Sequence, residues 1–146
     1  MNEKLQARLN EYLANQQVMY IKLHNLHWYV KGQGFFTLHA KLEELYDQTA
    51  DIIDEVAERI LAIGGKPVAS LKRALEVAKI KELSDEGISS DDTVSVLISD
   101  VEYLVKDTRA MVEESEEAND NGTADLFNGY LSEYQKLLWM LNAYRG

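Results

Sequence analysis

Four long segments of this chain place apolar residues at three- and four-residue intervals, and a single proline, Pro67, falls between them. That spacing is the period of a helix with one buried stripe. The first segment runs from about Glu3 to Val30, with Leu5, Leu9, Tyr12 and Leu13, then Tyr20, Leu23, His24 and His27 on its stripe. The second begins near Phe36 or Thr37 and is stopped by Gly64-Gly65, with Pro67 just beyond. A short helix is expected over Ala69 to Ala78. The third long helix follows Ser90-Asp91-Asp92, whose side-chain oxygens can cap it, and its core face is Val94, Leu97, Ile98, Val101, Leu104, Val105 and Val112. The fourth follows the polar break Asn119-Asp-Asn-Gly-Thr123, with Leu126, Phe127, Tyr130, Leu131, Tyr134, Leu137, Leu138 and Leu141. No segment shows strand-like alternation. A short first turn and a longer second connection with its own small helix predict an all-α four-helix bundle, one domain over residues 1–146.

Composition narrows the chemistry. The chain has no cysteine, which excludes disulfides, thiolate metal sites and a cysteine nucleophile. Met1 to Arg8 is polar and no apolar run follows, so no secretory signal is expected, and no run approaches the ~18 apolar residues of a membrane span. The expectation is a soluble, cytoplasmic protein. The formal charge of −10 disfavours nucleic acid and anionic membrane, where binding rests on lysine and arginine meeting phosphates, and is compatible with attracting cations. Gly32-Gln-Gly34 lacks the third glycine and the preceding strand of a dinucleotide site.

The residues that carry chemistry lie on either side of the first turn and along the second helix. His27 and His39 are each six residues from Gln33, the centre of that turn, so antiparallel helices bring the two imidazoles level. With His39 at 0° on a helical wheel, Glu43 lies at about 40°, Asp54 at about 60° and Glu58 at about 100°. Asp47, at about 80°, competes for the same role. Two histidines and three carboxylates are mixed nitrogen and oxygen donors, suited to iron, zinc or manganese rather than calcium or magnesium. The alternative reading is a hydrogen-bonded helix interface with a solvated acidic face; His24 fits such a hydrogen-bonding role. His39 and Asp54 are roughly 22 Å apart along the helix, too far for one metal centre. A two-fold axis resolves this. The midpoint of His39 and Glu58 falls between Gln48 and Thr49, and so does that of Glu43 and Asp54. An isologous dimer then sets His39 beside Glu58 of its partner, and Glu43 beside its Asp54, giving two sites that are incomplete in one chain.

At His27-Trp28-Tyr29, Phe35-Phe36-Thr37-Leu38-His39, and Asp54-Glu55-Val56-Ala57-Glu58-Arg59 through Gly64-Gly65, the chain resembles the Dps family, the mini-ferritins. The likeness covers nearly the whole chain, Trp139-Met140 included. It implies a ferritin-like bundle assembled into a hollow dodecamer. It also implies ferroxidase sites at the two-fold interfaces, consuming Fe(II) with hydrogen peroxide or oxygen. His27, His39, Asp54 and Glu58 match the family's ligands; the fifth position, usually aspartate, is Glu43 here. Where many relatives have a histidine two residues before the late tryptophan, this chain has Leu137.

The function expected is thus iron oxidation, storage and detoxification, with iron as the metal and zinc or manganese as competitors. Trp28, beside His27, can donate an electron where only one iron is oxidised. Glu44, Gln48, Asp51 and Glu55 form a second stripe that can face a cavity and nucleate ferric mineral, and by resemblance Asp120 and Asp125 lie where the family's three-fold pores open. The rival function is a nucleoid-associated protein that coats DNA. Family members that bind DNA directly often carry lysine-rich tails; here only Lys4 and Arg8 precede the body of the first helix and the chain ends at Arg145-Gly146, so little direct DNA binding is expected.

Overall fold

The computed structural model describes residues 2–146. Its elements follow in the order α1 (Glu3–Tyr29), β1 (Val30–Lys31), α2 (Phe35–Ala62), α3 (Leu71–Val77), β2 (Ile88–Ser89), α4 (Ser90–Glu117) and α5 (Asn121–Arg145). They fall into two compact units, residues 3–93 and 94–146.

In the first unit α1 and α2 form a hairpin. The turn between them needs its glycines. Gly32 and Gly34 both have positive φ, 107° and 87°, a region that costs a residue with a Cβ about 1–2 kcal/mol. The Phe35 amide donates to the Gly32 carbonyl at 3.2 Å, and Leu38 donates back to Gly34 at 2.9 Å to open α2. Along α1, Leu5, Leu9, Tyr12, Leu13, Leu23 and Leu26 are buried, and α2 buries Leu38, Leu42, Leu45, Val56 and Ile60. The end of α2 is a Schellman motif: Gly65 donates to Ile60 at 2.8 Å and Gly64, at φ 90°, donates to Leu61 at 3.0 Å. The Gly64-Gly65 stop is therefore a capped terminus, one or two residues from the expected boundary.

The long connection from α2 to α4 has little secondary structure, so its backbone polar groups need other partners. Amide side chains of α1 supply them. Asn10 donates to Lys66 O at 2.9 Å and accepts from the Val68 amide at 2.8 Å. Gln17 donates to Val68 O at 3.0 Å, and Asn25 donates to Ser84 O at 3.0 Å. Asn15, 0% exposed, accepts from the amides of Lys79 at 2.7 Å and Ile80 at 3.0 Å. Removing this acceptor strands two inward amides at roughly 1–3 kcal/mol each. Asn15→Ala is therefore expected to cost about 3 kcal/mol of unfolding free energy by denaturant titration; a loss under about 1 kcal/mol would show that the connection is held elsewhere.

The short helix α3 is capped by Ser70, whose hydroxyl accepts from the Arg73 amide at 3.3 Å. One strand pair departs from the expected all-helical chain: β1 and β2 run parallel, Val30 opposite Ile88 and Lys31 opposite Ser89. Two-residue strands have no periodicity to read. The N-terminus of α4 also departs from expectation. Ser89, not Ser90 or the aspartates, accepts from the Asp92 amide at 3.1 Å. The Ser90 hydroxyl instead bonds to the carbonyls of Gln33 at 2.5 Å and Lys31 at 3.3 Å, tying the helix start to the first turn. Asp91 and Asp92 remain in the first turn, where their charge complements the helix dipole.

In the second unit α4 buries Val94, Leu97, Ile98, Val101, Leu104, Met111 and Val112, and α5 buries Phe127, Tyr130 and Leu141. Arg145 donates to the Ser95 hydroxyl. The carboxylate of Asp120 caps α5, accepting from the Thr123 amide at 3.1 Å and its hydroxyl at 2.6 Å. Asn119, at φ 58°, closes α4 in a second Schellman motif in which Asp120 donates to Ser115 at 2.9 Å. Among the described residues no helix is long and apolar enough to cross a membrane.

Candidate metal centre

His27 and His39 stack face to face, their ring centroids 3.7 Å apart and their planes 10° from parallel. The turn imposes this, because equal spacing from Gln33 puts both residues at one level. The polar contacts are reciprocal: His27 Nδ1 meets the carbonyl of His39 at 2.6 Å, and His39 Nδ1 meets the carbonyl of His27 at 2.7 Å. A carbonyl can only accept, so each Nδ1 carries its proton and donates. In each neutral ring, the lone pair then sits on Nε2. Fixing one ring nitrogen on a backbone carbonyl so that the other is free to bind is how metal-ligating histidines are usually oriented. The His27 carbonyl lies in the last turn of α1 and lacks a helical partner there, so the bond also satisfies a helix terminus. Phe35 stacks on the outer side of His39 at 4.9 Å and 19°, which holds the second ring in place.

Glu43, one turn after His39, brings a carboxylate oxygen within 3.9 Å of His27 Nε2; its side chain is 59% exposed while that of His27 is buried. Glu43 thus stands beside His27, the inner member of the stacked pair. Asp54 and Glu58 form a separate pair, further along α2. Asp54 hydrogen-bonds to Glu58 and its charge opposes ionisation of the neighbour, so the Glu58 carboxyl is held above the ordinary carboxylate range, with desolvation and Glu55 adding to the effect. Two neighbouring carboxylates are costly to ionise together unless a cation neutralises them. Among the described residues no three histidine, aspartate or glutamate side chains of a single chain converge on one metal position.

A raised carboxyl pKa means that the fold favours the protonated acid. Its contribution to stability is present at low pH and is lost as pH rises through the folded value. Glu58→Gln keeps a donor toward Asp54 and removes the charge. The metal-free variant is expected to be at least as heat-stable as the parent at pH 7. Its affinity for a divalent ion should fall by more than the roughly 10–100-fold that loss of an outer partner costs. Calorimetry and metal titration check both; a lower Tm with unchanged affinity would contradict the assignment.

The other candidates are distributed as follows. Trp28 is 67% exposed and lies beside the His24 ring at 5.3 Å. His24 donates from Nδ1 to Tyr20 O at 2.8 Å, the hydrogen-bonding role expected for it. Glu44 pairs with Lys41 at 3.6 Å, and Gln48, Asp51 and Glu55 are exposed. Asp120 is engaged as the cap of α5, whereas Asp125 is exposed. Tyr46 escaped the sequence reading. His24 stacks on it at 3.8 Å, and His27 meets it edge-on at 5.3 Å. On the wheel it lies about 20° from His39, on the ligand stripe itself, but a tyrosine at helical spacing reads as core.

Residues 6–146 match the family model described as a ferritin-like domain. The chain is similar to DNA protection during starvation protein 2 of Bacillus anthracis, 44% identical over 99% of this chain and 98% of that protein. It is similar in structure to a Dps protein from Bacillus brevis, with 42% identity, a TM-score of 0.95, and 99% and 96% of the two chains covered. It is also similar to a Dps protein from Vibrio cholerae O1, described as belonging to a broad superfamily of ferritin-like diiron-carboxylate proteins. Identity there is 39%, the TM-score 0.93 and the coverage 99% and 90%.

Proposed function

The chain belongs to the Dps family of ferritin-like proteins, and on that premise we propose that it is a ferroxidase that oxidises Fe(II) and stores the product as ferric mineral inside a homododecameric cage. The observation that carries this reading is the locked histidine pair, whose Nδ1 atoms are held on backbone carbonyls so that both Nε2 lone pairs are left to bind, that of His27 beside the Glu43 carboxylate. Each site takes His27, His39 and Glu43 from one chain and Asp54 and Glu58 from its two-fold partner. The shared midpoint of the two ligand pairs supports this pairing. Large apolar side chains exposed on the single chain, Phe36 at 87% and Leu71 at 76%, also support an assembly that covers them.

Iron is the substrate. The carboxylates supply negative charge that favours Fe(III) over Fe(II), while the neutral imidazoles complete the coordination without adding charge. Fe(II) competes with protons for these carboxylates, so uptake weakens as pH falls. Two Fe(II) ions give one electron each, and hydrogen peroxide takes both electrons with two protons to yield two waters; oxygen is the alternative acceptor. Where a site holds a single iron, the exposed Trp28 supplies the second electron. Zinc and manganese, which suit the same donors, compete for the site.

The names of the relatives speak of DNA protection. With a charge of −10 per chain, removal of iron and peroxide is the means of protection proposed here, rather than coating of DNA. Glu44, Asp51 and Glu55 are proposed to nucleate mineral, and Asp125, with the cap residue Asp120 beside it, to line the iron entry. Asp125→Asn is expected to slow iron uptake severalfold at low salt and to flatten its salt dependence; an unchanged rate and salt profile would remove Asp125 from the path.

Anaerobic Fe(II) titration followed by stopped-flow mixing with peroxide or oxygen tests the whole reading. Saturable binding and a fast Fe(III) absorbance rise are expected. Absence of both from an assembled protein would overturn it.

A further inference from the structure

Among the asparagines of the chain, only Asn121 and Asn128 precede a glycine, and both Asn-Gly pairs are exposed on α5. That pairing carries chemistry of its own. A backbone nitrogen can attack the side-chain carbonyl carbon of the asparagine before it. Glycine, with no Cβ, leaves that nitrogen the least shielded. The fold treats the two pairs differently.

Asn128 and Gly129 lie in the interior of α5. There the Gly129 amide belongs to the helical ladder, donating to the carbonyl four residues back. Its nitrogen reaches the Asn128 side chain only after helix unwinds on both sides. Asn121 and Gly122 are the first two residues of the same helix. The first helical backbone bond is that of the Ala124 amide to the Asp120 carbonyl at 3.0 Å, and the Thr123 amide is held by the Asp120 carboxylate at 3.1 Å. The Gly122 amide falls before both, in the part of a helix where an N–H has no helical acceptor. The chain leading into Asn121 is already irregular: Asn119 has φ 58°, and Asp120 has φ −102° and ψ 80°. Turning the Asn121 backbone out of helical geometry therefore frays one terminal turn, and opening at an element's end costs little beside opening in its interior.

We propose that Asn121 is a site of spontaneous modification: the Gly122 nitrogen closes on Asn121 Cγ and the amide becomes a carboxylate. The identical pair Asn128-Gly129 is held inert by its helix. In the reacting pair, the Gly122 nitrogen loses its proton to solvent base and bonds to Cγ. The bond from Cγ to the side-chain nitrogen breaks, and that nitrogen takes up a proton and leaves as ammonia. Water opens the resulting five-membered imide at either carbonyl, giving aspartate or isoaspartate. Both products add a negative charge to a chain that already carries −10. Aspartate keeps the backbone and puts the charge in the first turn of α5, where the helix dipole favours it. Isoaspartate lengthens the backbone by one carbon between Asp120 and Thr123, and so pulls the cap from the amide and hydroxyl it serves. The reaction needs no metal, so the assignment stands apart from the iron reading.

Storage of the assembled, metal-free protein in warm, mildly alkaline buffer tests it, followed by peptide mapping with mass spectrometry and by isoelectric focusing of the intact chain. The peptide holding Asn121 should show conversion of amide to acid, with release of ammonia, and faster as pH rises. Asn128 should remain an amide. In denaturant both should convert at similar rates, because the protection of Asn128 is a property of the fold. Gly122 is not at positive φ, so the helical backbone accepts alanine there. Gly122→Ala should slow the conversion severalfold and suppress the more acidic form. The proposal is overturned if Asn121 stays intact in the folded protein while it converts in denaturant. It is overturned equally if Asn128 converts as fast as Asn121 in the folded state, or if Gly122→Ala leaves the rate unchanged.

Discussion

His39→Ala and Asp54→Ala are each expected to abolish rapid Fe(II) oxidation. Loss of a group that merely orients a ligand costs roughly 10–100-fold, and loss of the ligand itself should exceed that. His39 Nε2 is free only because Nδ1 is held by the His27 carbonyl, so alanine removes the donor together with its orientation. Asp54 holds one side of the acid pair, and without it Glu58 faces no partner charge for iron to neutralise. Neither change opens a cavity in the core, since His39 is half-buried and Asp54 is exposed. The oligomer and its helix content should be retained. The initial rate of Fe(III) absorbance after peroxide addition measures the effect, and a rate within about threefold of the parent would remove that residue from the ligand set.

The second large effect is on heat stability. A metal that binds the folded, assembled state stabilises it by mass action, about 2.7 kcal/mol at a hundred times its Kd. For a chain of this size that corresponds to a rise in Tm of roughly 5–10 °C. Zinc(II) is the suitable probe because it is not oxidised. The rise should vanish with a chelator and in His39→Ala. An equal rise in that variant would place the bound zinc elsewhere, for instance on the exposed acids Asp51 and Glu55.

The helices are legible in the sequence because each hides a stripe at helical spacing and ends at residues with a structural reason to end there. Gly64-Gly65 closes a Schellman motif, and Gly32 and Gly34 adopt positive φ. The juxtaposition of His27 and His39 is legible too, since both are equally far from the turn centre. Three things are not. The β1–β2 pair joins residues nearly sixty positions apart through two-residue strands, which no local pattern marks. The cap of α4 passes to Ser89 because Ser90 is drawn to the carbonyls of Gln33 and Lys31, a contact that exists only once the chain has folded. The reciprocal histidine–carbonyl bonds and the packing of the Tyr46 ring on His24 and His27 depend on how two helices face each other, and a wheel drawn for one helix cannot show that. Asp120 draws notice in the sequence through the family resemblance, but its position before Thr123 also satisfies the capping rule, and its carboxylate caps α5.

The central claim is that each site is shared between two chains, and co-assembly of the two inactive variants tests it most directly. In a mixed pair, the Asp54→Ala chain contributes an intact His39 and the His39→Ala chain contributes an intact Asp54 and Glu58, so one of the two interfacial sites is whole. Random pairing at equal ratio should restore about a quarter of the parent's fast oxidation. Dissociating the two variants, mixing them, reassembling them and measuring the initial rate with peroxide gives the answer. Recovery near that fraction is the predicted result. Mixed assemblies that are folded and complete yet no more active than either variant alone would contradict a shared site.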